Sequence, residues 1–220
     1  MLKLYHTPIS ANSRRVWIAL LEKEIPFELV PLKLDGNQFQ PEFLAINPFH
    51  HIPVLVDDDF RLIESLAILD YLEAKYPSPA MLPTDAQDLA TVRMVEMVTN
   101  NELVPATIRL TSQVLGVVEE NPPKLEQAKQ QILKVLEFLE SLMDRLYNGC
   151  DRLSLADIVA GTVVPMLPSL GVSLDDYSKL SSWSKRLMSR PTWQKTQLSQ
   201  EEIEACLPQI KARIQAYLAD

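Results

Sequence analysis

The stretch from Asn47 to Tyr76, NPFHHIPVLVDDDFRLIESLAILDYLEAKY, constrains the fold more than any other part of the chain. Its pattern predicts a strand, a hairpin, a second strand and a helix in immediate succession. Val54, Leu55 and Val56 form the short apolar run of a buried strand, Asp57 to Asp59 supply a turn, and Phe60 to Ile63 return. Pro53 stands at the strand's beginning, a place where proline is tolerated and where backbone is often presented to something else. The residue whose backbone would be presented is Ile52. Leu66, Ile68, Leu69 and Leu72 then recur at helical spacing, so Ser65 reads as a residue near a helix N-terminus, with Glu64 just ahead of it.

Such an arrangement suits a particular ligand chemistry. Free N–H groups and the positive end of a helix dipole favour a carboxylate, Ser65 adds a hydroxyl donor, and Glu64 offers a negative partner for an ammonium. Extended backbone beside Pro53 can pair with a peptide's own N–H and C=O, as in strand addition. The ligand described is a short peptide with a free amino acid end.

Upstream, Leu2 to Tyr5 predicts a short strand, Ile9 to Asn12 a loop, a helix follows from about Ser13 to Lys23, and Phe27 to Leu32 reads as a second strand. A strand, helix, strand unit of this kind places its two strands parallel. With a helical piece at Pro41 to Ala45, residues 1–76 sum to a compact α/β domain with a thioredoxin-like order. Residues 77–85, rich in proline, read as a linker, and residues 86–220 as an all-helical domain. A helix is expected over Thr91 to Leu115, with a bend at Pro105, and another over Pro123 to Tyr147, whose apolar residues follow one face. Ser154 and Asp157 have the spacing of a capping box ahead of the apolar run Ile158 to Val164, and Glu201 to Leu218 is a last amphipathic helix.

Composition narrows the partners. A formal charge of −8 over 220 residues argues against nucleic acid and anionic membranes, both of which call for a basic surface. No apolar run approaches the length needed to span a bilayer. The two cysteines, Cys150 and Cys206, are far apart, which predicts neither a disulfide framework nor a zinc site and suits a reducing cytoplasm. His50 and His51 are adjacent, so they point in different directions, and no third ligand is near in sequence; a metal is not expected.

The stretch around Ile52-Pro53 and Glu64-Ser65 resembles the glutathione-binding half of the cytosolic glutathione S-transferase family, and Ser154-x-x-Asp157 and Arg190-Pro191-Thr192-Trp193 resemble later elements of it. That resemblance implies an isoleucine and cis-proline binding the cysteinyl backbone of glutathione, and a Glu-Ser pair binding its γ-glutamyl end. His51 falls where many members carry a lysine or glutamine for the glycyl carboxylate, and His50 replaces the family's usual glycine. The implied fold is a thioredoxin-like α/β domain followed by an all-α bundle. The implied activity is conjugation of the glutathione thiolate to small hydrophobic electrophiles, a detoxification, by a cytoplasmic homodimer without a metal.

The loop His6-Thr7-Pro8-Ile9-Ser10 resembles that of serine-type members, in which a serine two residues after the proline activates the thiol. The resemblance therefore places the catalytic role on Ser10, with Ser13 and Asn12 as alternatives, and it extends to bacterial serine-type or chi-class members. Tyr5 lies one position away from the place of a catalytic tyrosine, and a shift of one turns a strand residue to the opposite face. Lowering a thiol pKa from about 8.5 to about 6.5 takes roughly 2.7 kcal/mol. A hydrogen bond to a charged group contributes roughly 1.5–3 kcal/mol and a helix N-terminus about 0.3–1, so one hydroxyl suffices. The alternative is a non-enzymatic protein using the same fold for ligand carriage or protein interaction. A cysteine in the first loop would favour thiol–disulfide exchange; Ser10 disfavours it.

Overall fold

A computed structural model describes residues 1–32, 39–119, 121–148 and 150–219. They form two compact units, one of Met1–Met81 with Pro191–Gln209, the other of Leu82–Arg190 with Ile210–Asp220.

In the first unit, β1 (Leu2–His6), β2 (Phe27–Pro31), β3 (Val54–Asp57) and β4 (Phe60–Ile63) make one sheet in the order β2-β1-β3-β4. β1 and β2 are parallel, as their connection through helix α1 (Ala11–Glu22) requires, whereas β3 runs antiparallel to both β1 and β4. Alternation along β1 assigns its two faces. Leu2, Leu4 and His6 are buried; Lys3 and Tyr5 are half-buried. Leu4 lies opposite the equally buried Leu55, while Tyr5 lies opposite Val54 and packs with Phe43 of α2 (Pro41–Leu44) and with Ile52. The fold expected of residues 1–76, thioredoxin-like α/β, is the one found.

Helix α3 (Ser65–Lys75) is tied down along its C-terminal half. Asp57 takes hydrogen bonds from Tyr71 and Lys75, which fixes the hairpin on the helix. Lys23, 5 % exposed, donates to the carbonyls of Tyr76 and Pro79 at 2.8 and 2.9 Å and pairs with Glu73 at 2.6 Å. Short helix α9 (Pro191–Thr196) belongs to this unit, because the Arg14 guanidinium donates to the Trp193 carbonyl and the Thr196 hydroxyl, each at 3.2 Å.

The second unit is helical, as expected. Asp85 caps α4 (Ala86–Val98) through the amides of Gln87 and Asp88. The single expected helix is helical throughout: a π-helical turn over Thr99–Leu103 joins α4 to α5 (Val104–Val114) without a break in helical backbone, and Pro105, which lacks an N–H for the ladder, stands just after that turn. Helix α6 (Pro122–Leu142) is shorter at its end than the apolar period suggests: Tyr147 turns to exchange backbone bonds with Cys150, and Leu146 is exposed. Helix α7 (Leu155–Gly161), all of it buried, opens on the expected capping box, and a 3₁₀ segment, Val164–Leu170, follows. Helix α8 (Ser178–Met188) was not foreseen. It has no side-chain cap of its own, because Glu140 of α6 receives the amides of Lys179 and Leu180 at 3.0 and 2.8 Å. Its signal was the spacing of Leu180, Trp183 and Leu187, all buried. Helix α10 (Gln200–Ala219) ends the described chain.

Asp157 is the polar centre of the second unit. Its carboxylate, 0 % exposed, receives the amide and side chain of Asn148 at 2.9 and 3.0 Å, the amide and hydroxyl of Ser154 at 2.8 and 2.6 Å, and the Trp183 indole at 2.8 Å. Burial pushes its pKa up, and the donors from Ser154, Asn148 and Trp183 oppose that.

Candidate functional site

Strand register collects the candidate residues. Tyr5 lies opposite Val54, and Val54 opposite Ile63, so the end of β1, the start of β3 and the end of β4 share one end of the sheet. The segments running on from these points are the loop to Ser10, the Ile52–Pro53 pair and Glu64–Ser65. Three stretches separated in sequence thus meet at one end of the sheet.

Ser10 caps α1, whose first residue, Ala11, lies two positions before the start that the sequence suggested. Its backbone is extended (φ −97°, ψ 118°) and its Oγ accepts the Ser13 amide at 3.4 Å. It is 3 % exposed, and its hydroxyl proton meets no acceptor among the described residues. Ser13 is differently placed: it is fully buried and its oxygen accepts the Thr7 amide at 3.5 Å, which ties the loop. Asn12 is half-buried. His6, at the end of β1, packs against Trp17 with ring centroids 5.1 Å apart, and burial lowers its pKa to about 4, so the ring is neutral. Tyr5 faces away, its ring 6.2 Å from that of Phe43.

Asn47 shapes the second segment. Almost fully buried, it accepts the Phe49 amide at 3.0 Å and donates to the His51 carbonyl at 2.8 Å, while its own carbonyl accepts the His50 amide at 3.1 Å. His50 is held at φ 48°, in the left-handed region, which gives the family's glycine at this place a physical reason that sequence reading lacked. His51 is exposed, its ring edge-on to that of His50 at 5.4 Å. Ile52 and Pro53 are buried and joined by a cis peptide. The amide and carbonyl of Ile52 have no partner among the described residues, so the edge offered to a peptide is open.

Glu64 stands at the third segment with φ 67° and ψ 112°, exposed and making no cap bond. A non-glycine residue there stores roughly 1–3 kcal/mol of strain, which is characteristic of ligand clamps. Ser65 is 5 % exposed and its Oγ accepts Nη1 of Arg15 at 3.2 Å. On residue type alone, Arg14 and Arg15 are more often solvent or salt-bridge residues than catalytic ones. Both instead have guanidinium donors turned to protein acceptors, and Arg15 is wholly buried. Among the described residues no three of histidine, cysteine, aspartate and glutamate gather as metal ligands would, and no helix is long and apolar enough to cross a membrane.

Comparison with known proteins bears on the whole chain. Residues 4–80 match the family model "Glutathione S-transferase, N-terminal domain", and residues 72–191 match "Glutathione S-transferase, C-terminal domain". Glutathione S-transferase 3 of Zea mays is 34% identical over 89% of this chain and 92% of its own. The maleylacetoacetate isomerase of Rattus norvegicus is 33% identical, over 87% of this chain and 89% of its own. Among solved structures, a glutathione transferase homologue from Sulfitobacter with bound glutathione superimposes with a TM-score of 0.75 at 27% identity, covering 89% of this chain and 96% of that one.

Proposed function

The chain belongs to the glutathione S-transferase family, and from that premise we propose that it conjugates the glutathione thiolate to small hydrophobic electrophiles, with Ser10 as the hydroxyl that activates the thiol. Glutathione lies along the end of the sheet. The Ile52 backbone, set by Pro53, pairs with the cysteinyl unit, the Glu64 carboxylate meets the γ-glutamyl ammonium, and Ser65 and the α3 N-terminus meet its carboxylate. His51 reaches the glycyl carboxylate. Ser10 donates its hydrogen bond to the sulfur, so that the thiol proton is lost to solvent near neutral pH.

The observation that carries this reading is the Ser10 hydroxyl itself, buried at a helix start on the same sheet end as Ile52–Pro53 and Glu64–Ser65, with its proton unused by the described residues. That observation supports the reading of a serine-type detoxifying transferase with residues 1–76 as its glutathione domain. The protein then works in the cytoplasm as a homodimer, with glutathione as co-substrate and no metal.

Ultraviolet absorbance of the bound thiolate between about pH 5 and 9 tests the reading. A bound-thiol pKa well below the free value, returned towards it in Ser10→Ala, is the expected result. Glutathione that binds but titrates as in water would leave ligand carriage as the function instead. A depressed pKa unchanged in the variant would move the role to Ser13, Asn12 or the helix backbone.

A further inference from the structure

Arg15 is 0 % exposed, and an arginine is rarely buried so completely unless its donors are engaged. Its neighbour Arg14 has a structural use, holding the Trp193 carbonyl and the Thr196 hydroxyl of α9. Arg15 reaches the other way, from α1 to the first residue of α3, and its Nη1 donates to Ser65 Oγ at 3.2 Å. This bond occupies a lone pair of the hydroxyl. The Ser65 O–H is left to point elsewhere, and it meets no acceptor among the described residues. A hydroxyl that receives from a cation on one side is a stronger donor on the other. This one stands at a helix start that has no side-chain cap.

We propose that Arg15 is a positioning residue for the γ-glutamyl carboxylate of glutathione. It fixes Ser65 Oγ as an acceptor, so that the hydroxyl proton is presented to the carboxylate. This deepens, and rests on, the glutathione reading of the site. Guanidinium suits the task because it stays charged when buried, whereas a buried ammonium tends to lose its proton.

A double-mutant cycle tests the assignment, with Arg15→Gln, Ser65→Ala and the pair measured for binding of glutathione and of cysteinylglycine, which lacks the γ-glutamyl unit. Each single variant should weaken glutathione about 10-fold, and the double variant little more than either, because both remove one interaction. Cysteinylglycine affinity should move less than about twofold, since that ligand lacks the unit the two residues serve. Losses that multiply to about 100-fold, or a cysteinylglycine affinity that falls equally, would reduce Arg15 to a support of the fold. Arg15→Lys serves the cycle where the glutamine variant does not fold: it should recover part of the glutathione affinity, and only while Ser65 is present. An equal recovery in Ser65→Ala would overturn the proposal. A wild-type chain that fails to bind glutathione at all brings down the underlying reading, a result distinct from a multiplicative cycle.

Discussion

Ser10 and Ser154 both stand as the extended residue before a helix, and each accepts the amide three residues on at 3.4 Å. Beyond that shared bond they part. Ser154 has a carboxylate at the third position, and its hydroxyl donates to that carboxylate at 2.6 Å. Asp157 in turn gathers donors from Asn148 and Trp183, so the helix start is closed. Ser10 has Ser13 at the third position, whose oxygen is engaged by the Thr7 amide. The hydroxyl proton of Ser10 stays free among the described residues. One change of residue, carboxylate for hydroxyl, separates a cap consumed by the fold from one left for a ligand.

Breaking the closed cap should have the largest effect. Asp157→Ala leaves buried donors of Ser154, Asn148 and Trp183 without an acceptor and should destabilise the protein by about 3–5 kcal/mol, read as a lowered midpoint in chemical denaturation. Next comes acid, acting on the unsatisfied end of the molecule. His6 takes up its proton near pH 4 in the folded chain against 6.5 unfolded. Between those values the unfolded chain binds more protons, so stability is whole above about pH 6.5 and falls as the pH drops through the window, by about 3 kcal/mol in all. Denaturation at a series of pH values should show this slope in the wild type and its loss in His6→Phe.

The elements of the sheet end were legible because their signals are local: an apolar run and a turn for β3 and β4, and an apolar period for α3. Features created by particular bonds between residues, near or far in the chain, were not. Helix α8 takes its cap from Glu140, some forty positions away in α6, so its own first turn carries no marker. Arg15 reads as a surface charge until α3 is laid against α1 and Ser65 meets its guanidinium. His50 had no explanation in sequence because its left-handed backbone is imposed by the turn that Asn47 ties. The extent of α6 failed for a related reason, since the bonds between Tyr147 and Cys150 outweigh the burial of Leu146.

Opening the comparison from the other side gives a smaller change in stability and a large one in chemistry. Ser10→Ala removes only a long acceptor bond from α1, so its stability should fall by no more than about 1 kcal/mol. Ser154→Ala, which also takes a donor from Asp157, should cost about 2 kcal/mol. The order reverses in activity. With the thiolate losing a charged hydrogen bond, kcat/KM of Ser10→Ala should drop about 10- to 100-fold. A variant with full activity and reduced stability would show that the two caps do the same work.

Strain provides the finest distinction, because two residues of the site segments, His50 and Glu64, hold positive φ angles of 48° and 67°. Glycine relieves such strain but loses more entropy on folding, so the net gain in stability should stay below about 1 kcal/mol at either position. Their ligand roles separate them. Glu64→Gly removes the partner of the γ-glutamyl ammonium and should weaken glutathione about 10-fold while the protein becomes slightly more stable. His50→Gly should be stabilised without that loss, since its ring packs against Phe39 and His51 and has no assigned contact with the ligand. Denaturation and glutathione binding measured on both variants decide the matter. If both lose affinity alike, the strain at Glu64 has no special tie to the ammonium, and the loop held by Asn47 must position the peptide as a whole.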